Sequence, residues 1–409
     1  SNYNVKITLP ENYVVAATGQ LQTSNEVEWL KTRVNYVTKN QPAAKKTYGP
    51  KKSSSNVKGK IDVLDSANTR LKTLQFTQQQ VHDFAFFANP HFIVNSDTCL
   101  LPSGKVVEVF SYYTPAHKNL WNGSLQYTKD ALRFYSAEVG EYPFQTASVV
   151  QGPQSFGGGM EYPTITVISP VATAKDLDVI IAHEVGHNWF QGVLASNERA
   201  HPWMDEGFNS FYEKKYTKLK YGAQPQWEEI LFKTKAHFKK DQPIATHSND
   251  FEATNYLLTS YQKTSQLLSA IEQQMGEQNF QQLMQSYFKT WQFKHPQPED
   301  FKILLQQHLP HADSSWAQLY QTGLLPNQQL KGFSIVSPLV PSTVSNYLHQ
   351  PTKHILLLSP AAGFNKYDGF MLGGLISNSK LPPNKFQYLA IPLYATTSKQ
   401  LNGIGKISY

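Results

Sequence analysis

One short stretch of the sequence constrains this chain more than any other feature. It reads His183-Glu184-Val185-Gly186-His187, and two histidines four residues apart stand on the same face of a helix. Both imidazoles can therefore reach one ion, with Glu184 beside it as a carboxylate that can take a proton from metal-bound water. Apolar residues flank the motif at 179–181 and 189–190. We therefore expect a buried helix, in which these polar groups would be costly without a metal.

A second signal completes a set of metal ligands. A catalytic zinc ion usually takes three protein ligands and leaves a fourth position for water. Glu206 follows His187 after 18 intervening residues. This length lets the first helix end, the chain turn back, and a second, antiparallel helix present the carboxylate. The two signals predict a zinc hydrolase site with one zinc ion per chain, held by His183, His187 and Glu206, with Glu184 as general base.

This pattern resembles that of a known family. The motif at 183–187, the gap of 18 residues and Glu206 are similar to the gluzincin pattern of the M1 aminopeptidases, relatives of aminopeptidase N and leukotriene A4 hydrolase. Upstream, Gly158-Gly159-Met160-Glu161 resembles the exopeptidase motif of that family, usually Gly-x-Met-Glu-Asn, with Tyr162 in place of the Asn. The resemblance covers residues 1–325. It implies a saddle-shaped N-terminal β-domain followed by a thermolysin-like catalytic domain.

The resemblance also implies roles for further residues. Glu161 would accept hydrogen bonds from the free α-ammonium group of a peptide, and such a carboxylate discriminates against blocked termini. Residues 158–160 belong to the same substrate-binding segment, where glycine leaves the backbone close to the substrate. Tyr261 would donate a hydrogen bond to the oxyanion, with Tyr256 as its nearest rival. The expected activity is removal of the N-terminal residue from peptides by a metal-activated water.

The periodicity of apolar residues divides the chain into three parts. Alternating runs at 3–9 and 71–76 predict a partial N-terminal β-sandwich or saddle at residues 1–97. Steps of three and four residues predict a mostly helical catalytic domain at 98–326. There Asp176 is expected to be the N-cap of the motif helix, and further helices are expected at 206–220, 256–275 and 277–290. Residues 327–409 alternate again and predict strands, either of a soluble sheet or of the start of a larger β-domain or barrel. The predicted fold class is α+β multidomain.

Charge and composition narrow the expected partners. The net charge is +7, but seven lysines between residues 39 and 60 equal this excess, and their Gly-, Pro- and Ser-containing segment is typical of a solvated loop. We therefore expect no nucleic-acid partner. The single cysteine excludes a disulfide scaffold and a zinc site built from several thiolates. No apolar run approaches the roughly 20 residues that a spanning helix needs, so membrane association is expected only through the C-terminal region of a longer parent.

Three alternatives to an aminopeptidase stay open at this stage. An endopeptidase would use the same zinc site, although Glu161 disfavours it. A binding module would capture peptide termini without cleavage, since the chain is expected to begin after the part of the N-terminal domain that supplies a second amine-binding residue in the family. An envelope protein would have its main function in the C-terminal β-region. These strands favour a location in the bacterial cell envelope over the cytoplasm. No oligomeric state is predicted.

Overall fold

The computed structural model describes residues 1–30, 70–223, 227–328, 332–349, 353–380 and 384–409. The lysine-rich segment at 39–60, which we predict to be a solvated loop, lies outside these residues. The chain divides into two compact units. The first consists of Ser1–Ala195 with Phe288–His295, and the second consists of Ser196–Tyr287 with Pro296–Tyr409. The division into domains at residues 97 and 326 stays a prediction.

Short strands open the first unit, as the alternation of apolar residues predicts. Their bounds are β1 (Tyr3–Pro10), β2 (Val14–Ala17), β3 (Gln20–Leu21), β4 (Leu71–Gln78) and β5 (Phe86–Asn89). β1 and β3 flank β4 in an antiparallel sheet, and β2 pairs with β5. The alternate residues Ile7, Leu9, Leu74 and Phe76 are buried in one core. A helix at 24–30, which the alternation does not predict, follows β3.

A second sheet in the first unit carries the glycine segment. Its strands are β6 (Ile93–Leu100), β7 (Val106–Tyr113), β8 (Thr146–Gln151), β9 (Gly159–Met160) and β10 (Ile165–Ile168), in the order β6-β7-β8-β10-β9. β8 runs parallel to both β7 and β10. Every residue of β8 and β10 is buried, as in parallel strands covered on both faces. β9 is the antiparallel edge strand, with Met160 opposite Val167. The predicted substrate-binding segment therefore lies at one edge of this sheet.

Two helices of the first unit contact this sheet and each other: α1 (Ser124–Glu138) and α2 (Ala174–Gly186). The N-cap of α2 is Thr173, whose hydroxyl accepts a hydrogen bond from the backbone N–H of Asp176 at 3.1 Å. The prediction that Asp176 is the N-cap is therefore wrong. Asp176 lies in the first turn of α2, where its negative charge favours the positive end of the helix dipole.

Helices dominate the second unit before residue 326. They are α3 (Phe208–Tyr221), α4 (Trp227–His237), α5 (Thr264–Met275), α6 (Glu277–Trp291) and α7 (Pro298–His308). The last turn of α6, from Phe288 onward, belongs to the first unit. Shorter helices of the chain span Lys118–Trp121, Ala253–Asn255 and Ala312–Trp316. Two π-helical turns, Trp203–Gly207 and Tyr256–Lys263, lead directly into α3 and α5. The helices predicted at 206–220, 256–275 and 277–290 are confirmed, but the π-helical turns at the start of the first two are not foreseen by the periodicity.

The second unit ends in a five-stranded sheet. Its strands follow one another in sequence order: β11 (Phe333–Val336), β12 (His354–Asn365), β13 (Gly369–Ser377), β14 (Gln387–Ala395) and β15 (Leu401–Ser408). β11 and β12 are parallel and the other pairs antiparallel. The parallel pair requires a crossover, which is helix α8 (Pro341–His349). This helix corrects the expectation that residues after 326 form strands alone, and its first residue is a proline, which suits that position. No helix among the described residues is both long and apolar enough to cross a membrane.

Candidate metal centre

Helix α2 places its two histidines side by side. His183 lies in the last turn, and His187 is the C-cap with helical backbone angles (φ −62°, ψ −15°). Their Nε2 atoms are 3.2 Å apart, and their ring planes meet at 82°. Nδ1 of His187 lies 3.3 Å from the carbonyl oxygen of Phe190. With Nδ1 donating this hydrogen bond, Nε2 of His187 is left to bind an ion. Both imidazoles face one point, as their spacing predicts.

The glycine segment approaches Glu184 closely. The Glu184 side chain is buried, with 5% exposure of the residue. A Cβ atom at Gly159 would lie 2.0 Å from Oε1 of Glu184. A side chain at this position would therefore displace the Glu184 carboxylate. Gly158 has open space around it but a φ of +88°, a left-handed conformation that favours glycine.

The residues that follow the glycines continue along the edge of the sheet. Met160 is exposed, and Glu161 is half-buried. The hydroxyl of Thr166 donates a hydrogen bond to the backbone oxygen of Met160 at 3.1 Å, which fixes the edge strand. Tyr162, which replaces the Asn of the family motif, packs its ring 6.0 Å from that of Phe87. The side chain at this position therefore contributes to packing in the first unit.

Glu206 and Tyr261 lie on the two π-helical turns of the second unit. The hydroxyl of Tyr261 donates a hydrogen bond to Oε1 of Glu206, although the two residues are 55 positions apart. Burial, followed by the negative charge of Glu206, raises the pKa of Tyr261 far above its ordinary value. The phenol therefore keeps its proton and remains a donor at neutral pH. Tyr256 packs edge-on against Tyr261, with ring centroids 6.1 Å apart. Glu206 precedes α3 instead of lying within a regular α-helix, which corrects the expectation for its position.

Buried charges fix the turn Tyr256–Lys263, and no motif in the sequence indicates them. Nζ of Lys263 donates to Oδ2 of Asp241 at 2.7 Å, and the side chains of both residues are 1% exposed. On another side of the turn, Nζ of Lys214 donates to Oε1 of Gln262 at 2.6 Å. The one sequence signal for this ion pair is the position of Lys263 directly before an apolar helix. Asp241 lies 22 residues earlier, which is too far for a local pattern to relate the two.

The donor set fits one zinc ion. His183 and His187 supply two imidazole nitrogens 3.2 Å apart in the first unit, and Glu206 supplies a carboxylate in the second. Two imidazoles and one carboxylate are a common ligand set of catalytic zinc, in which a fourth position is left for water.

Comparison with known protein sequences identifies the domain. Residues 124–320 match the sequence model described as the Peptidase family M1 domain. Aminopeptidase M1-B of Oryza sativa subsp. japonica is 23% identical over 185 residues, which are 41% of this chain and 21% of that protein. Leukotriene A-4 hydrolase of Xenopus laevis is 26% identical over 197 residues, which are 44% of this chain and 32% of that protein. The aligned part of the chain thus spans less than a third of the length of either relative.

Solved structures show the same fold. An M1 zinc metallopeptidase from Deinococcus radiodurans superimposes with a TM-score of 0.56 at 17% identity, over 80% of this chain and 64% of that one. Legionella pneumophila aminopeptidase A in complex with aspartic acid gives a TM-score of 0.57 at 12% identity, over 99% of this chain and 41% of that one. This likeness shows the fold alone, and the sequence match at residues 124–320 is to the Peptidase family M1 domain, the family that the zinc-ligand pattern resembles.

Proposed function

We propose that the chain is a zinc-dependent aminopeptidase that removes the N-terminal residue from peptides with a free N-terminus. The imidazole pair on α2 carries this proposal, because its Nε2 atoms lie 3.2 Å apart beside the buried carboxylate of Glu184. His183, His187 and Glu206 would hold one zinc ion. The M1 domain match supports the assignment.

Glu184 is placed to move the proton in this reaction. A bound zinc ion would supply a lowered pKa for a water molecule and polarisation of the peptide carbonyl. Glu184 accepts the proton of the attacking water and then delivers it to the leaving amine. The backbone of Gly159, which lies against the carboxylate, limits the positions that Glu184 can take.

Two further side chains contact different parts of the peptide substrate in this proposal. Tyr261 donates a hydrogen bond to the oxyanion, and its high pKa keeps the phenol proton in place while negative charge develops. Glu161, on the edge of the sheet, pairs with the α-ammonium group of the substrate. A mutant M1 zinc metallopeptidase from Deinococcus radiodurans has been crystallised with a Tyr-Ser-Ala substrate, which supports peptides as the substrate class.

The proposal is tested by hydrolysis of a panel of aminoacyl fluorogenic amides by the zinc-loaded chain, each with a free or an acetylated amine. We expect cleavage of the free-amine members alone, because an acetylated terminus would leave Glu161 without its cation. Equal cleavage of both sets would instead indicate an endopeptidase. Peptide binding without product from either set, with zinc bound, would indicate a binding module.

Glu184→Gln separates the general base from the metal ligands. The variant should keep its zinc content and lose about 10²–10⁴-fold in kcat, the usual contribution of a general base. Glu108→Gln is the matched control, because Glu108 is exposed and has no proposed role. Retained turnover in zinc-loaded Glu184→Gln would refute the assignment of the base.

We also propose a location in the bacterial cell envelope, with membrane association through the C-terminal region. Exposed apolar side chains on the C-terminal sheet support it, among them Phe364 (70% exposed), Phe370 (64%) and Ile407 (74%). Fractionation of the native cell tests this proposal, and recovery of the protein in the cytoplasmic fraction would contradict it.

A further inference from the structure

A cavity in the second unit has no part in the proposed hydrolysis. Its volume is about 360 Å³. It lies where the end of α4 meets the C-terminal sheet. Its lining residues include three basic and three aromatic side chains, which are His237, His354, Lys385, Phe333, Phe386 and Tyr388.

Positive charge concentrates at this cavity. Burial, followed by the charges of Lys380, Lys385 and His354, lowers the pKa of His237. Lys380 is 9% exposed, and burial lowers its pKa to about 8. Neither lysine forms an ion pair with a carboxylate among the described residues. A buried cation without a counter-ion is unfavourable. Lys380 does not line the cavity itself, but its charge acts on His237, which does, so an anion beside His237 would be stabilised.

Exposed aromatic rings form another side of the cavity. Phe333 is 75% exposed and Phe386 is 50% exposed. The ring of Phe333 lies 5.4 Å from that of His354. Asn378 orders the opposite strand, because its amide donates to the backbone oxygen of Phe386 at 2.9 Å and accepts from the backbone N–H of Tyr388 at 2.9 Å. Exposed rings held in this way suit a flat apolar group.

We propose that this cavity binds a small aromatic oxyanion, a compound with a flat ring and a carboxylate or phosphate group. The oxyanion would pair with Lys385 and the two histidines of the lining, and the charge of Lys380, which acts on His237, would add to this attraction. The ring would pack against Phe333 and Phe386. A volume of about 360 Å³ falls within the range of small-molecule pockets.

Calorimetric titration of the zinc-loaded full chain tests the proposal with phenyl phosphate, benzoate, inorganic phosphate and benzyl alcohol. Phenyl phosphate or benzoate should bind about tenfold more tightly than inorganic phosphate and benzyl alcohol, and the tighter of the two identifies the oxyanion. Lys380→Met and Lys385→Ala should each weaken this binding about tenfold. Lys366→Ala, at an exposed lysine of the turn between β12 and β13, is the control and should bind like the parent chain.

Two outcomes would overturn the proposal. One is the absence of heat with both aromatic anions. The other is equal affinity of the parent chain and both cavity variants, which would place the anions elsewhere, such as at zinc. Urea unfolding midpoints of the variants that equal or exceed that of the parent chain at the same pH show that the fold is intact. Because the readout is binding, a failure of the proposed aminopeptidase activity would leave the result interpretable.

Discussion

Replacement of Lys263 by methionine should strongly destabilise the second unit. In the parent chain, Nζ of Lys263 lies 2.7 Å from Oδ2 of Asp241, and both side chains are 1% exposed. Methionine keeps the length of the side chain, but it leaves Asp241 as a buried charge with the backbone N–H of Gly323, at 2.9 Å, as its donor. Loss of one partner from a buried ion pair costs about 3–5 kcal/mol of unfolding free energy.

The double variant Lys263→Met/Asp241→Asn isolates the cost of the unpaired charge. Asparagine is neutral, and its side-chain oxygen can still accept from the N–H of Gly323. The remaining defect is the carbonyl of Gln321, which accepts from Nζ of Lys263 at 2.6 Å in the parent chain. Loss of that hydrogen bond costs about 1–3 kcal/mol. The double variant should therefore be more stable than Lys263→Met by about 2 kcal/mol.

Urea unfolding of the zinc-loaded chain, followed by tryptophan fluorescence, measures these differences. Lys233→Met is the control, because it removes an ion pair with Glu229 one helical turn away, which is worth about 0.5 kcal/mol. A loss below about 1 kcal/mol in Lys263→Met would refute this account of the pair. The single variant Asp241→Asn completes the comparison. If the double variant loses as much unfolding free energy as Lys263→Met and Asp241→Asn lose together, the two residues act independently, and this account is also refuted.

Three further predictions concern the metal centre and the cavity. Gly159→Ala should lower kcat, because the new Cβ would lie 2.0 Å from the Glu184 carboxylate. Gly157→Ala is the control, because a Cβ there meets nothing within 4 Å and should leave kcat unchanged. Steady-state assays at equal zinc content measure both. Tyr261→Phe should lower kcat about 10²–10³-fold with little change in KM, the loss expected for one oxyanion donor; an unchanged kcat would exclude that role. Lys380→Met should be more stable than the parent at pH 7. The pKa of Lys380 is about 8 in the folded chain and about 10.4 in the unfolded chain. Between these pH values the unfolded chain binds more protons, so the stability of the parent rises with pH. The advantage of the variant over the parent therefore shrinks as the pH rises. Urea midpoints that differ equally at pH 7 and about 10 would contradict this.

Local spacing was enough to predict what lies on one helix. The helical period fixes His183 and His187 on one face, and the structure places their Nε2 atoms 3.2 Å apart. The start of the same helix was misplaced because Thr173 and Asp176 are both good capping residues. Thr173 accepts from the N–H of Asp176 and also donates to its carboxylate at 2.7 Å, so the two form one cap that residue type alone does not resolve.

Contacts between distant residues were beyond the reach of local patterns. Tyr261 is predicted only through the family resemblance, and its hydrogen bond to Glu206, 55 positions away in the chain, has no signal in local spacing. The Lys263–Asp241 pair has no motif, and it becomes recognisable only when both side chains are seen to be buried. Likewise, helix α8 is needed because β11 and β12 pair in parallel. The alternation of apolar residues indicates strands but not the direction in which they pair.

The π-helical turn at Tyr256–Lys263 fixes the length of this segment as well as its composition. A π-turn holds extra backbone compared with an α-helical turn, and it commonly arises within α-helices at functional sites. Deleting Gln262 would place Tyr261 and Lys263 one residue apart instead of two, which changes the angle between them around the helix axis by about 100°. Tyr261 and Lys263 could not both keep their partners after such a rotation. Loss of that one codon would therefore leave all the other side chains of the segment in the sequence, yet it would separate the proposed oxyanion donor from its position relative to the Lys263–Asp241 ion pair.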